Sequence, residues 1–324
     1  MKVLLFANIG SAPNKFYHVG DEAMFLETHR WYKKHHPKTK ISILTSKPNH
    51  AHLKINEIIS PIEFQYVNKI FLFRFIVYYL LYKITKINRL SKQENELIYV
   101  IKKQDRIHLC GGGNLTSVYP DWLYYSFLVL ITAILLSKEI IITSQTIGPF
   151  NKVDKLLSFF ILNKAKIIAV RGHADTIKNL GIYKRNIYNM LDAAYLLPSA
   201  KIESKKDPGE IIIGLSLHDW SKSEFFYSSL VKAISSVAKS YKIKLLLIPH
   251  VIVDNEDQWD MGFMKNLFFS KNSGISVIKP EISEILGHKP EPAYYIKGLT
   301  KSVNFIISTR YHGLIFALSE NIPA

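Results

Sequence analysis

The sequence has little cysteine and no hydrophobic run long enough to cross a membrane. Cys110 is its one cysteine, which excludes an intrachain disulfide framework and a zinc site built from cysteines. The longest apolar runs, residues 70–82 and 122–136, fall short of the roughly 20 residues that a spanning helix needs. The apolar stretch after Lys2 is too short for the core of a signal peptide. We therefore expect a cytoplasmic protein.

Acidic residues are also scarce. The chain has 26 Asp and Glu against 42 Lys and Arg, a net charge of +16, which favours an anionic partner: a phosphorylated small molecule, an anionic membrane or a nucleic acid. No nucleic-acid-binding motif accompanies the charge, so we expect no nucleic acid. Residues 69–92 intersperse basic residues with aromatic and aliphatic ones. This pattern is typical of a partly buried basic helix or of one in peripheral contact with the inner face of a membrane.

Short, β-branched apolar runs recur along the chain, each followed by a turn former and a longer helical stretch. They lie at residues 2–8, 40–46, 106–111, 139–145, 166–172, 186–192, 211–218, 244–250, 275–280 and 304–309. Runs that are apolar on both faces are typical of parallel strands covered by helices on both sides. With 324 residues, enough for about two domains, the sequence predicts an α/β protein. Its N-terminal domain spans 1–198, its linker 199–210 and its C-terminal domain 211–324.

Candidate functional residues are those that follow the strands, because ligands bind beyond the carboxyl ends of the strands in open α/β sheets. Asp21 either caps a helix or holds a ligand hydroxyl. The three glycines before Asn114 form either an anion-binding nest or a tight turn. Gln145 suits a sugar hydroxyl or a carboxylate, or is a buried structural amide. Arg171 holds an anion or forms a surface ion pair. In the first half these candidates are Asp21, Gly111, Gly112, Gly113, Asn114, Gln145 and Arg171.

In the second half, His218 and His250 follow two strands, and Arg310 and His312 follow the last. A lone histidine is often structural, and the flanks contain no His-Glu-x-x-His pattern, so we expect no metal. Arg310 and His312 are more informative as a pair. An arginine fixes an anion while a nearby histidine supplies a proton, a combination that suits acid-catalysed chemistry on a phosphorylated carboxylate.

Several short motifs are spread along nearly the whole chain, and the order in which they occur is informative. They are Asn8-x-Gly10, Gly20-Asp21-Glu22, Gly111-Gly112-Gly113, Gln145-x-Ile147-Gly148-Pro149, Arg171, Asp192-Ala193-Ala194, Gly214-x-Ser216-x-His218 and Ser308-x-Arg310-Tyr311-His312-Gly313. In this order they resemble the polysaccharide pyruvyl transferase family. Three features depart from it: residues 11–19 separate Asn8-x-Gly10 from Gly20-Asp21-Glu22, Thr146 replaces a usual glycine, and the chain stops at Ala324, where the family usually continues. We therefore expect an incomplete C-terminal domain.

The resemblance implies two Rossmann-like domains similar to B-type glycosyltransferases. It implies transfer of pyruvate from phosphoenolpyruvate to two hydroxyls of one sugar, as a cyclic ketal, on a surface polysaccharide or its lipid-linked precursor, with no further cofactor. Arg310 and Arg171 would hold the donor's carboxylate and phosphate beside the three glycines, and His312 would be the general acid. The acceptor would be bound by Asp21, Asn114, Gln145, His218 and His250.

Two alternatives belong to other classes. A nucleotide-sugar glycosyltransferase of similar fold would need an acidic residue for the ribose, for which Glu281 and Glu284 are the near candidates. A non-enzymatic module would use the basic charge to bind nucleic acid or a membrane surface.

Overall fold

A computed structural model describes residues 1–7, 9, 17–45, 56–62, 66–172, 175–182, 186–202, 207–218, 224–253, 259–269, 275–287 and 291–324. The strands are β1 (Lys2–Phe6), β2 (Tyr17–His18), β3 (Lys40–Thr45), β4 (Asn56–Ile59), β5 (Arg106–Leu115), β6 (Glu139–Ile147), β7 (Ile167–Arg171), β8 (Ile187–Met190), β9 (Ile211–Ser216), β10 (Ile243–Leu247), β11 (Val251–Ile252), β12 (Ser276–Ile278) and β13 (Phe305–Ser308). The helices are α1 (Val19–His35), α2 (Lys69–Thr85), α3 (Lys92–Lys102), α4 (Pro120–Leu135), α5 (Lys152–Lys164), α6 (Asp175–Lys178), α7 (Glu224–Val237), α8 (Trp259–Phe269), α9 (Ile282–Gly287), α10 (Pro292–Lys301) and α11 (Tyr311–Ser319).

The described residues form two compact units. The first contains those of Met1–Ile9 and Met24–Ala193, and the second contains those of Gly10–Ala23 and Ala194–Ala324. The predicted boundaries at 1–198, 199–210 and 211–324 stay a prediction. The compact units differ from these boundaries because β2, which precedes α1, pairs with β11 in the C-terminal half of the chain.

The first unit is built on a seven-stranded sheet of order β4-β3-β1-β5-β6-β7-β8, in which every pairing is parallel. One face carries a continuous apolar core with residues from α2, α3, α4 and α5. On the other face, the Tyr32 hydroxyl of α1 lies 3.1 Å from Nδ1 of His108 in β5. The covering of both faces explains why the strands are apolar throughout.

The second unit contains a four-stranded parallel sheet of order β12-β10-β9-β13. It also contains a two-stranded antiparallel pair, in which Tyr17 and His18 of β2 face Ile252 and Val251 of β11. Strand β2 runs directly into α1, whose first turn carries Asp21 and Glu22. Acidic residues there are favourable because they face the positive end of the helix dipole.

Each predicted strand is present, and the prediction of parallel α/β sheets is confirmed. Two strands run further than predicted. Strand β5 continues through Gly111, Gly112 and Gly113 to Leu115, and β6 continues past Gln145 to Ile147. The placement of the three glycines and Gln145 beyond strand ends was therefore wrong. Positive φ angles at Gly111 and Gly112 and a register shift after Gly112 let the strand pass through the glycines as an irregular stretch.

The two longest apolar runs are helical. Helix α4 is buried along most of its length, as expected of an apolar helix against a sheet. Helix α2 buries Leu72, Phe75 and Tyr79 and is followed by α3 from Lys92. Within the described ranges, no helix is both long and apolar enough to cross a membrane.

Candidate active site

Arg310 is held by a buried carboxylate. It is the N-cap residue of α11, two residues after the end of β13. Its Nε donates to Oδ2 and Oδ1 of Asp260, at 2.9 and 3.1 Å, and its Nη2 also donates to Oδ1. The Asp260 side chain is fully buried, while the Arg310 side chain keeps 12% of its surface exposed. This two-point contact fixes the plane of the guanidinium.

Asp260 receives further donors. The backbone N–H groups of His250 and Val251 donate to its Oδ2 at 3.0 and 2.9 Å, and Nδ1 of His218 lies 3.3 Å from its Oδ1. Burial alone would raise the pKa of Asp260, but the hydrogen bond from His218, the charge and hydrogen bond of Arg310 and the Val251 N–H together lower it. Asp260 is therefore an ionised carboxylate at neutral pH that joins α8, β11 and Arg310.

His218 follows β9 and lies against the same carboxylate. Its backbone N–H donates to Oγ1 of Thr309 at 2.8 Å. Its ring stacks on Trp259, with centroids 5.8 Å apart and planes 5° from parallel. Trp259 has a φ of 54°, an uncommon backbone conformation for a residue other than glycine. The imidazole of His218 is thus held between an indole and a carboxylate.

His250 is buried, and neither of its ring nitrogens has a hydrogen-bond partner among the described residues. Burial, reinforced by the charges of His312 and Arg310 and opposed by that of Asp260, lowers the pKa of His250 to about 3. The pKa of His18 is lowered as well, mainly by burial, with Asp21 acting in the opposite direction. Both rings are therefore neutral at pH 7.

His312 is the second residue of α11 and is partly exposed. Gly20 backs its ring so closely that a Cβ on Gly20 would overlap the imidazole. Tyr311 packs edge-on against the same ring, with centroids 5.4 Å apart. Glycine at position 20 thus leaves the space in which the imidazole sits. Arg310, Asp260, His218, His250 and His312 are called the Arg310 cluster below.

Arg171 is the last residue of β7 and is also held by a buried carboxylate. Its Nη1 donates to Oδ2 of Asp192 at 2.6 Å, and its Nε donates to Oγ1 of Thr146 at 2.9 Å. The Asp192 side chain is fully buried, and that of Arg171 is 10% exposed. Arg171 is therefore more than the weak surface ion pair that the sequence left as its alternative.

The glycine-rich part of β5 lies beside Arg171. A Cβ on Gly113 would stand 4.0 Å from Nη2 of Arg171, and a Cβ on Gly111 would stand only 2.5 Å from Cβ of Met24. Gln145 is fully buried and donates from Nε2 to the carbonyl of Gly111. These contacts are those of a structural amide within the sheet, and Asn114 is buried as well. Arg171, Asp192, Thr146 and Gly113 are called the Arg171 cluster below.

The candidate residues thus fall into two groups, one in each unit. The first unit holds Gly111, Gly112, Gly113, Asn114, Gln145 and Arg171, and the second holds Asp21, His218, His250, Arg310 and His312. Asp21 lies within the first turn of α1, which begins at Val19, so the residue does not occupy the N-cap position. The motif residues Asn8 and Gly10 lie outside the described residues.

Reasoning from the sequence missed Asp260, Trp259 and His18. Asp260 follows no strand and sits in the first turn of a helix, where acidic residues are common for reasons unrelated to function. A search limited to residues that follow strands therefore misses it. In the described part of the chain, no three His, Cys, Asp or Glu side chains are arranged to hold a metal ion, and the absence of a metal stays a prediction.

A family model described as polysaccharide pyruvyl transferase matches residues 18–324. The chain belongs to this family. The match includes both arginine clusters and supports a transferase that uses a donor and a glycan acceptor. No curated protein sequence matches the chain significantly.

Solved structures share the fold of this pyruvyl transferase family member at low identity. A UDP-GlcNAc 2-epimerase from Methanocaldococcus jannaschii is 10% identical with a TM-score of 0.55, over 100% of this chain and 82% of that one. A glycosyltransferase from Rickettsia africae is 12% identical with a TM-score of 0.54, over 99% of this chain and 77% of the other. The similarity confirms two Rossmann-like domains of the B-type glycosyltransferase class.

Proposed function

We propose that this protein transfers pyruvate from phosphoenolpyruvate to two hydroxyls of one sugar, as a cyclic ketal, in a surface polysaccharide or its lipid-linked precursor. The observation that carries the proposal is the start of α11, where Arg310 is held by ionised Asp260 and is followed two residues later by His312. Arg310 supplies a fixed positive charge, and His312 supplies a proton. Family membership supports the transfer of a group to a glycan.

The chemistry balances with these residues. His312 protonates the methylene carbon of the enol, which makes the neighbouring carbon an oxocarbenium-like electrophile. One sugar hydroxyl adds there, phosphate leaves, and the second hydroxyl closes the ring. Of the two hydroxyl protons, one restores His312 and the other leaves with the phosphate. In this proposal Arg310 binds the anionic part of the donor and stabilises the leaving group, and an anion-binding role for Arg171 stays a prediction. The products are the ketal and inorganic phosphate.

The burial of Asp260 has a direct consequence for Arg310. Nε and Nη2 face the carboxylate, and among the described residues none accepts from Nη1. One edge of the guanidinium is thus anchored while the Nη1 side can meet an anion. Asp260 is a positioning residue in this proposal, because it acts on the donor through Arg310.

Donor-binding roles for Gly111, Gly112 and Gly113, and acceptor roles for Asp21, Asn114, Gln145, His218 and His250, stay predictions. His218 is the acceptor candidate with a defined environment, since Asp260 and Trp259 orient its ring. We place the reaction in the cytoplasm, because a single cysteine suits a reducing compartment.

The test is phosphate release from phosphoenolpyruvate with a panel of glycan acceptors. Mass spectrometry should show the acceptor heavier by one pyruvate less one water. We expect Arg310→Ala and His312→Ala to lower kcat/KM by at least about a hundredfold, the scale of losing a general acid or an anion-stabilising donor. The matched controls Arg30→Ala and His35→Ala change exposed residues of the first unit and should keep full turnover.

Two results would contradict the proposal. One is full turnover by either Arg310→Ala or His312→Ala. The other is binding of a nucleotide sugar without any turnover of phosphoenolpyruvate, which would favour the glycosyltransferase alternative.

A further inference from the structure

Helix α2 has a second apolar face, opposite the one that packs on the core. The core face carries Leu72, Phe75 and Tyr79. Large apolar side chains are also exposed on one stripe of the helix, where each lies three, four or seven residues from another member of the set. They are Ile70 (79% exposed), Phe73 (71%), Leu80, Leu81 and Ile84 (79%). A helix at the surface of a protein normally exposes polar residues on that side. An exposed apolar stripe is therefore typical of a surface that binds a partner.

The residues around the stripe are basic. Residues 69–92 contain no Asp or Glu, and their charged residues are Lys69, Arg74, Lys83, Lys86, Arg89 and Lys92. Arg74 is paired with buried Glu94, and Lys69 lies 3.7 Å from buried Asp154. The other four are exposed at the C-terminal end of α2 and beyond it. The stripe is thus bordered by positive charge.

Helix α5 carries a similar stripe. Val153, Leu156 and Phe160 are exposed at positions three and four residues apart. Lys152, Lys155 and Lys164 are exposed on the same helix, whose acidic residue Asp154 is buried. Both α2 and α5 pack against α4, and the contact of Lys69 with Asp154 brings their first turns together. The exposed residues of the two helices are called the α2–α5 surface.

We propose that the α2–α5 surface docks on an anionic lipid bilayer, with its aliphatic and aromatic side chains inserted below the headgroups. The combination of an apolar stripe with lysine and arginine along its border is the pattern of a helix that lies in the membrane interface. A second copy of the chain is a poorer occupant, since it would bring the same positive charges face to face. The docking goes beyond the proposed function and does not depend on the donor chemistry.

The test is sedimentation of the full chain with vesicles of mixed phosphatidylcholine and phosphatidylglycerol, compared with pure phosphatidylcholine. We expect binding to the mixed vesicles that weakens with salt. The variant Ile70→Ser/Phe73→Ser/Ile84→Ser should bind at least about tenfold more weakly, since it removes three inserted side chains. Its matched control, Phe225→Ser/Val237→Ser/Tyr241→Ser, removes three exposed apolar side chains from the second unit and should bind as wild type does.

Charge is tested separately. Lys86→Gln/Arg89→Gln should reduce binding to the mixed vesicles about tenfold. Lys232→Gln/Lys239→Gln makes the same change in net charge at exposed positions on α7 and just after it, and should not reduce binding. This pair keeps the test decisive if the triple serine variant does not fold, as judged by circular dichroism. The proposal is overturned if the wild-type chain does not bind mixed vesicles, or if the α2 variants bind as well as their controls. A dimer in light scattering that the α2 variants dissociate, without vesicle binding, would show that a second copy occupies the surface.

Discussion

At the residue scale, the two arginines share one arrangement. Arg310 is held by Asp260 and Arg171 by Asp192, and in each pair the carboxylate is fully buried while the guanidinium keeps a small exposed fraction. A buried carboxylate without its partner would lower the stability of the fold, because its charge would be uncompensated. Each arginine is therefore held firmly against its carboxylate. The arginines are thereby oriented before any anion arrives, which reduces the entropy lost on binding.

We predict that Asp260→Asn lowers kcat/KM for phosphoenolpyruvate by at least about tenfold, the value of one charge-assisted hydrogen bond. The loss should appear mainly in KM, because Arg310 remains present but is less well oriented. Steady-state kinetics with an accepted glycan provides the measurement. Asp207→Asn is the control, since Asp207 is an exposed carboxylate of the second unit paired with Lys242. An unchanged KM in Asp260→Asn would rule out the positioning role.

At the element scale, β5 shows how a strand can pass through three glycines. Gly111 has a φ of 72° and Gly112 one of 101°, and Gly111 also lies against the buried Met24 of α1. The first feature needs a residue that tolerates positive φ, and the second needs one without a Cβ. Glycine satisfies both, and the carbonyl of Gly111 then accepts from Gln145 in the neighbouring strand.

We predict that Gly111→Ala lowers the free energy of unfolding by about 2–4 kcal/mol, the sum of backbone strain and overpacking against Met24. Gly172→Ala is the comparison. Gly172 also has a positive φ, of 95°, but no described atom lies within 4 Å of where its Cβ would stand, so only the strain of about 1 kcal/mol should appear. Urea denaturation followed by circular dichroism measures both. Equal losses would mean that the contact with Met24 costs nothing.

At the scale of the whole molecule, each unit contains a buried neutral histidine. Burial, with a smaller effect of the Arg106 charge, lowers the pKa of His108 to about 3, and the pKa of His250 is also about 3. An unfolded histidine has a pKa near 6.5. Between these values the unfolded chain binds protons that the folded chain does not, so stability falls as the pH drops. Above about pH 6.5 the two groups have no effect.

We predict that each of these histidines makes the free energy of unfolding fall by up to about 1.4 kcal/mol per pH unit within that window. His108→Gln should remove one such contribution and flatten the dependence by that amount. Urea denaturation at several pH values between about 7.5 and 4.5 provides the slopes. His35→Gln, an exposed site at the end of α1, should keep the wild-type slope. If the free energy of unfolding of His108→Gln depended on pH as steeply as that of the wild type, the lowered pKa of His108 would be contradicted.

The sequence by itself determined the parallel α/β class, every strand of the two parallel sheets except β4, and the family. These depend on apolar periodicity and on short motifs whose order survives along the chain, both of which are local signals. Arg310 and His312 could be found this way because they are two residues apart and come just after the predicted strand at 304–309.

Only the tertiary structure decided which side chains contact Arg310 and His312. Asp260 is 50 residues from Arg310 in sequence, and β2, near the start of the chain, pairs with β11 in its second half. The same holds for α2, where the sequence shows an apolar, basic helix but not which apolar residues face the core. Hydrogen bonds and burial between distant segments depend on the packing of the chain, and no local pattern encodes them.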